Sequence, residues 1–389
     1  MDVTPSLEKL SRYIENSDYA GYDPYDALNS PVLSALSFRQ KHLRIGWMQV
    51  MRRLPLNIRP LLMIKKGHNP KGLGLFLWGY SKLSKIHGYD IYRPQVRRLL
   101  DLLDTCRSDC TGHGWGYNFD WQSLAFWVPK YTPTIVNSSF IGHALLDTWK
   151  ITGEQRALDM AIPIKDFILN DLKRTKDKKS FCFSYTPVDQ LVVHNANLLG
   201  ASLLIRLYDE TGDNSLREVA LQSLDWSMNR QNQNGSWPFG DTNFQQWIDS
   251  FHTGFNLQAI RYFLAVGEAE EHHKAYEKGV RYYAENFFLD DGTPKYYNDK
   301  TYPVDIHSPA QAIAFFSGEG ERYSDLTDRV LRWMLENLYD DRGFFYFRKG
   351  RFMTNRIPYM RWSQAWGFHA LTEYCMHNHC YPVNIVGNQ

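Results

Sequence analysis

Ionisable side chains recur at the starts of successive apolar helical segments of this 389-residue sequence. Histidine acts as a general acid or base near neutral pH, carboxylates do the same or orient a histidine, and arginine binds carboxylates through a two-pronged fork. The candidate catalytic residues are His194, Asp249, His252, Asp305 and His307, and the candidate anion-binding residue is Arg361. This set predicts proton-transfer chemistry on an anionic substrate.

Amide and aromatic side chains near the same points suit the hydroxyls and ring faces of a saccharide. The further candidate substrate-binding residues are Asn137, Asn195, Asn197, Gln364, Asp241, Trp115, Trp121, Trp237, Trp247 and Trp362. Aromatic residues reach 15% of the chain, more than a core alone recruits, so we expect part of them to line a binding surface. The structural alternatives are helix capping for the Asn and Asp residues and core packing for the tryptophans.

A short turn repeats along the chain and divides it into helical hairpins. It occurs at residues 87–90, 152–154, 211–213, 266–268 and 317–319. A glycine ends one helix in the left-handed conformation, and an acidic residue follows where the next helix begins, at its positive end. Each turn therefore predicts one hairpin.

The helices before and after each turn differ in composition. Those before it have small residues and few charges and are predicted to be buried, at 72–83, 138–149, 196–208, 253–264 and 308–316. A segment of the same kind at 363–375 makes a sixth buried helix. The helices after each turn are amphipathic and are predicted to lie outside. Six such pairs predict an all-α (α/α)6 toroid formed by residues 1–389 as one domain, in which 1–68 is a basic, amphipathic segment that supplies an outer helix near 34–53.

Long aromatic loops lead into the buried helices at their N-terminal ends, and we expect these ends to gather at one mouth of the toroid. The loops include residues 112–131 and 235–247. This pattern resembles the six-hairpin toroids of carbohydrate-active enzymes, including glycoside hydrolases, uronate lyases, N-acylglucosamine 2-epimerases and glucuronyl C5-epimerases. The resemblance implies a saccharide substrate and spans nearly the whole chain.

Three segments carry a narrower resemblance. NPKGLGLFLWGY (69–80), NGSWPFGD (234–241) and YMRWSQAW (359–366) are similar to VpsJ-like proteins of bacterial polysaccharide-biosynthesis clusters, which implies a biosynthetic context. The pattern Gln231-x3-Gly235-x-Trp237 has the form of the QW motif of triterpene cyclases, which are also helical toroids. The acidic proton-donor motif of those cyclases is absent from the sequence, so this alternative is disfavoured.

Three functions fit the candidate residues. Epimerisation or β-elimination at a uronate requires a base, an acid and a cation, for which His252, His307 and Arg361 are candidates. Glycoside hydrolysis requires paired carboxylates, for which Asp241, Asp249 and Asp305 are candidates. A non-catalytic glycan-binding or scaffold protein needs neither. Proton transfer is the preferred interpretation because it uses the histidines together with the arginine.

Charge and cysteine content limit the partners and the location. The net charge is +2, yet eleven Lys or Arg and no acidic residue lie between Asp26 and Asp90, so residues 39–71 are a candidate peripheral contact with a membrane that carries a lipid-linked acidic saccharide. Five cysteines without a regular framework indicate a reducing cytoplasm. No nucleotide cofactor, nucleic acid or metal is expected. Cys375, His377, His379 and Cys380 form a candidate metal cluster because thiolates and imidazoles are the preferred ligands of zinc, but their spacing fits no common zinc module.

Overall fold

The computed structural model describes residues 1–123 and 127–378, and α-helices dominate this part of the chain. In chain order they are α1 (Thr4–Asn16), α2 (Pro31–Leu36), α3 (Lys41–Arg53), α4 (Pro70–His87), α5 (Tyr89–Thr105), α6 (Ile135–Thr152), α7 (Gln155–Ala161), α8 (Ile164–Asn170), α9 (His194–Thr211), α10 (Asn214–Met228), α11 (Ser250–Ala265), α12 (His273–Asn286), α13 (His307–Phe316), α14 (Ser324–Leu338) and α15 (Trp366–Asn378). A short π-helix, Met360–Ala365, leads directly into α15.

Six of these helices form a closed inner ring. In chain order they are α4, α6, α9, α11, α13 and α15; each packs against the next, and α15 packs against α4. Their small residues permit close approach, as in α4, where every residue from Pro70 to Ser84 is buried. The prediction of an all-α (α/α)6 toroid is confirmed.

The hairpin turns and helix starts follow local chemistry. Gly153 and Gly212 end α6 and α9 with φ values of 70° and 71°, a conformation that glycine adopts without steric cost. At the opposite ends, Thr134 and Asp249 accept hydrogen bonds from the backbone N–H groups of Asn137 and His252 and so cap α6 and α11. These caps orient the first turn of each inner helix.

The outer layer contains α5, the α7–α8 pair, α10, α12 and α14. Its sixth member is α1, which packs against α15 through a face that includes Leu7, Leu10 and Ile14. The expectation that the segment near 34–53 supplies this helix is wrong. Helix α3 instead packs with α2 and the loop around Ile64 in a separate apolar cluster, and its residues Met48, Gln49 and Arg52 line the mouth of the toroid.

Short antiparallel strands stiffen the loops. They are β1 (Trp121–Gln122) with β2 (Trp127–Val128), β3 (Arg174–Lys176) with β4 (Phe181–Phe183), β6 (Tyr339–Asp340) with β7 (Phe344–Phe345), and β5 (Val304–Asp305) with β8 (Arg348–Lys349) and β9 (Thr354–Asn355). Strand β5 runs almost directly into α13, so it determines where Asp305 and His307 lie. The loops therefore act as a rigid frame at the mouth.

Charged side chains fill the ring in the C-terminal halves of the inner helices, away from the loops. Lys82 donates to Glu373 at 2.5 Å, and Arg206 pairs with Asp147. Trp78 donates from Nε1 to Asp147 Oδ2 at 2.6 Å and lies between the rings of His143 and His369. Every charge here has an opposite partner, which is what burial requires.

The buried histidines make the free energy of unfolding depend on pH. Burial, together with the charges of Arg206 and Lys82, holds the pKa of His143 and of His369 well below the ordinary value of 6.5. The unfolded chain therefore binds more protons below that value, and we expect stability to fall as the pH drops from about 7 to about 5, by about 1.4 kcal/mol for each unit of pKa displacement. Because burial raises the pKa of Asp26 to about 6, which has the opposite effect, urea unfolding of the wild-type protein is compared with that of His143→Gln across this range; the same pH dependence in both would contradict the buried neutral state of His143.

The described residues contain neither a membrane-spanning helix nor a metal-binding cluster. None of their helices is long and apolar enough to cross a bilayer. Within the same residues, no group of three or more His, Cys, Asp or Glu side chains is arranged to hold a metal ion. His379 and Cys380 of the candidate metal cluster lie outside the described residues, so that hypothesis stays open.

Candidate functional site

The aromatic loops meet over the N-terminal ends of the inner helices and enclose a cavity of about 520 Å³. This volume is in the range of small-molecule sites. Its wall is largely aromatic and includes Tyr25, Tyr117, Phe119, Trp121, Tyr185, Phe239, Phe244, Trp247, Phe251, Phe255, Tyr296, Tyr297 and Trp362. The prediction of long aromatic loops at one mouth is confirmed.

His252 and Asp249 form a hydrogen-bonded pair in this wall. His252 Nδ1 lies 2.6 Å from Asp249 Oδ2, while Asp249 Oδ1 accepts from the backbone N–H of His252 at 3.0 Å. Trp247 Nε1 also donates to Asp249 Oδ2, at 3.2 Å. A proton on Nδ1 is favoured by the carboxylate, which leaves the lone pair on Nε2, the arrangement of an oriented general base.

His307 is the second histidine of the cavity. Its ring stacks on Trp362 with centroids 4.0 Å apart and planes at 7°, and both ring nitrogens are buried without a hydrogen-bond partner in the structure. Burial holds the pKa of His307 well below 6.5, and the nearby cations Lys71 and Arg361 lower it further. His307 is therefore a neutral imidazole with free nitrogens, which suits it to accept or deliver a substrate proton.

Asp305 lies behind this stacked pair instead of facing the cavity. Its Oδ1 accepts from Trp362 Nε1 at 2.7 Å and from the backbone N–H of His307 at 3.1 Å. Burial raises the pKa of its carboxyl group, which these hydrogen bonds only partly oppose. Asp305 thus orients Trp362 and the first turn of α13. This placement differs from the expectation that Asp305 acts directly on the substrate.

Arg361 lines the cavity, but its fork is already occupied. Its Nε and Nη2 donate to the two carboxylate oxygens of Asp23 at 2.6 and 2.7 Å, and both residues are buried. The guanidinium lies over the rings of Tyr117 and Trp362, with centroid distances of 5.2 and 4.8 Å. Because Asp23 takes both prongs, the fork is not free for the substrate carboxylate that we expected it to bind.

Eight of the predicted site residues share the cavity. They are Trp121, Asn195, Trp247, Asp249, His252, His307, Arg361 and Trp362. Trp237 lies beside it, in a narrow cleft that also contacts Asn195 and His252, and its Nε1 donates to the carbonyl of Ser227 at 2.9 Å. The remaining predicted residues lie among the helices and loops behind the cavity wall.

These residues have local partners that explain their positions. His194 Nε2 lies 2.9 Å from Asp241, which also accepts from Arg230. Asn197 accepts from the backbone N–H of Phe183 and donates to the carbonyl of Ser223.

Gln364, Trp115 and Asn137 also do not line the cavity. Gln364 makes two 2.8 Å hydrogen bonds with the backbone of Phe345, and Trp115 donates to the carbonyl of Leu103. Asn137 is wholly buried in α6. The expectation that these side chains meet the substrate differs from their placement. Hydrogen bonds to the backbone use the polar atoms of Gln364 and Trp115, whereas the buried amide of Asn137 has no hydrogen-bond partner among the described residues.

Two cations of the cavity were not among the predicted site residues. Lys71, the second residue of α4, is 4% exposed, and its Nζ lies 4.1 Å from the ring centroid of Phe140. Arg52 of α3 lies over Tyr25, and its Nε is buried without a hydrogen-bond partner in the part of the chain that the structure describes. In the sequence, both belong to the basic segment that is expected at the surface. The one sequence feature that could have identified Lys71 as a cavity residue is its position just after the Asn69 cap, because the other inner helices carry candidate site residues at that position.

Comparison with known proteins gives matches in three dimensions only. No protein-family model matches the sequence, and no curated protein matches it significantly. A cellobiose 2-epimerase from Bacillus thermoamylovorans superposes with a TM-score of 0.62 and 14% identity, covering 79% of this chain and 88% of that one.

Two hydrolases are similar to the same extent. A family 76 α-mannanase from Bacteroides thetaiotaomicron gives a TM-score of 0.61 and 14% identity, covering 82% of this chain and 89% of that one. An unsaturated glucuronyl hydrolase specific for heparin gives 0.61 and 12%, with 95% of each chain covered. At these identities the likeness concerns architecture, and the chain has the (α/α)6 toroid fold found among carbohydrate epimerases and glycoside hydrolases.

Proposed function

We propose that this protein is a carbohydrate-active enzyme that moves a carbon-bound proton of an acidic saccharide, as an epimerase or a lyase does. The observation that carries the proposal is the presence of two histidines, His252 and His307, in one aromatic cavity. Removing a proton beside a carboxylate or carbonyl and returning one requires a base and an acid within reach of the same carbon, and two imidazoles can fill these roles. In the proposed roles, Asp249 orients His252, and Trp362 holds His307.

Hydrolysis with paired carboxylates receives less support. Among the described residues that line the cavity, Asp249 is the only carboxylate, and it is bonded to His252. Asp305 is buried behind Trp362, and Asp241 is paired with His194 and Arg230. A glycoside hydrolase of the usual kind needs two carboxyl groups on opposite sides of the scissile bond.

The acidic nature of the substrate is supported by the cations of the cavity. Arg52 takes part in none of the ion pairs formed between described residues, and its Nε is unpartnered. We assign to Arg52 the substrate-binding role that the sequence suggested for Arg361. The guanidinium is half-buried at the cavity, where it interacts with Tyr296 and with the charge of Asp305, and a cation in this position also suits an anionic ligand group.

A biosynthetic setting at the cytoplasmic membrane face is part of the proposal. All three segments similar to VpsJ-like proteins supply cavity residues, namely Lys71 from 69–80, Phe239 from 234–241, and Arg361 with Trp362 from 359–366. In the basic segment, Lys65 and Lys66 are exposed beside Leu61 and Met63, which are 83% and 57% exposed. Exposed apolar and basic side chains together suit anionic headgroups and a lipid-linked saccharide.

The test is deuterium incorporation from D2O into a panel of glucuronate-containing and neutral oligosaccharides, read by mass spectrometry. Label without cleavage indicates epimerisation, and an unsaturated product indicates a lyase. A product that has gained water indicates hydrolysis and would overturn the proposal. Binding with no label and no cleavage across the panel would favour the glycan-binding scaffold.

Arg52→Gln tests the acidic preference. We expect the affinity for a glucuronate-containing oligosaccharide to fall by about 10- to 100-fold, since a hydrogen bond to a charged group contributes about 1.5–3 kcal/mol. Affinity for the neutral analogue should change little. Arg53→Gln, one residue away but exposed, is the matched control, and isothermal titration calorimetry measures all four affinities. Equal losses for both ligands would show that Arg52 does not recognise the acid group.

A further inference from the structure

Lys71 has surroundings that a structural lysine rarely has. The Asn69 side chain accepts from its backbone N–H at 3.2 Å and so orients the first turn of α4. From there the side chain reaches the cavity wall, where Nζ lies 4.1 Å from the centroid of Phe140 and 5.3 Å from those of Phe255 and Trp366. An amine among three aromatic rings is largely stripped of water.

No carboxylate of the described residues forms an ion pair with Lys71. The charge of Asp23 acts on it, but both oxygens of Asp23 are taken by Arg361. Burial lowers the pKa of Lys71 well below 10.5, and the charge of Arg361 lowers it further. A desolvated lysine beside another cation is the environment in which enzymes use the neutral amine as a nucleophile toward carbonyl groups.

His307 is close to this amine. Its ring centroid lies 4.8 Å from that of Trp366, the ring that Lys71 also contacts, and the charge of Lys71 acts on His307. Both side chains face the same cavity, and both ring nitrogens of His307 are buried without a hydrogen-bond partner among the described residues. A nucleophile and a neutral base therefore flank one aromatic surface.

We propose that Lys71 Nζ forms an imine with a free carbonyl group of the saccharide, which makes Lys71 a covalent catalytic residue. The amine attacks the carbonyl carbon, a proton moves from nitrogen to oxygen, and loss of one water leaves a C=N bond. The imine nitrogen gains a proton from solvent and His307 takes the proton of the adjacent carbon; the C–H electron pair forms a C=C bond and the C=N π pair moves to nitrogen, which gives an enamine. Reprotonation of that carbon and addition of water release the product and the amine.

This inference rests on the proposed proton transfer and narrows its substrate class. Imine formation requires an aldehyde or ketone, so the substrate is a saccharide whose reducing end opens or one that carries a keto group. A glucuronate-containing oligosaccharide with a free reducing end satisfies both the acidic preference and this requirement. The same saccharide blocked as its methyl glycoside does not.

Reductive trapping tests the imine directly. The protein is incubated with sodium cyanoborohydride and either a reducing glucuronate disaccharide or its methyl glycoside, digested, and analysed by mass spectrometry. We expect a covalent adduct on the peptide that carries Lys71 with the reducing sugar and none with the glycoside. Lys71→Met and Lys71→Arg should both lose the adduct, whereas Lys179→Met, at an exposed site, should retain it.

Parallel D2O exchange separates this inference from the function on which it rests. Exchange in the wild-type protein without an adduct, or full exchange in Lys71→Arg, overturns the imine and leaves the proton transfer standing. An adduct on Lys71 without exchange supports the imine and overturns the proton transfer. Melting curves of both Lys71 variants establish that they are folded; methionine matches the volume of the lysine stem closely enough for the core to be kept.

Discussion

In the His252→Gln variant, deuterium exchange into the saccharide will fall by about 10²- to 10⁴-fold, the usual contribution of one general acid or base. Glutamine retains an N–H that can donate to Asp249, whose carboxylate lies 2.6 Å from His252 Nδ1, but it has no basic nitrogen. The side chain is partly exposed at the cavity, so its replacement should not disturb the core. The measurement is the initial rate of label uptake at saturating saccharide.

The controls for this variant separate catalysis from binding. His42→Gln, at an exposed site on α3, should exchange at the wild-type rate. Saccharide affinity of His252→Gln, measured by calorimetry, should stay near the wild-type value because the loss concerns the transition state. A variant that exchanges normally but binds weakly would make His252 a binding residue with no part in the proton transfer.

Neutralising Asp23 will produce the largest stability change. Asp23→Asn removes the partner of the buried Arg361, and breaking a buried pair in this way costs about 3–5 kcal/mol. The two residues are 338 positions apart in sequence, joining the N-terminal segment to the π-helix before α15. Urea unfolding should show a lower midpoint with an unchanged slope.

An exposed pair with the same geometry is the control. Arg98 donates to both oxygens of Asp18 at 3.1 and 2.7 Å, but about half of each side chain is exposed. Asp18→Asn should therefore cost no more than about 1 kcal/mol. The double variant Asp23→Leu with Arg361→Met should recover much of the lost stability, since no unpaired charge remains. Equal effects at the two pairs would show that Arg361 is solvated.

Much of the fold was predictable because its signals are local. Gly153 and Gly212 end helices whose small residues and few charges already predict burial. The same glycine-containing turn recurs along the chain. Asp249 and His252 are three residues apart at a helix start, which predicts the cap and brings the two side chains together. Helix α1 was missed because one amphipathic segment of the N-terminal region looks much like another.

The sequence by itself determined the helical hairpins, their closure into an (α/α)6 toroid, and the placement of polar residues at the helix starts. Only the tertiary structure decided which of these residues face the cavity. His252 faces it, whereas Asn197 and Gln364 bond to adjacent backbone, and Lys71 enters it from a segment that appeared to be surface. The physical reason is that turns and caps depend on residues a few positions apart. The partner of Arg361 and the cage around Lys71 are assembled by residues far apart in sequence that meet only when the ring closes.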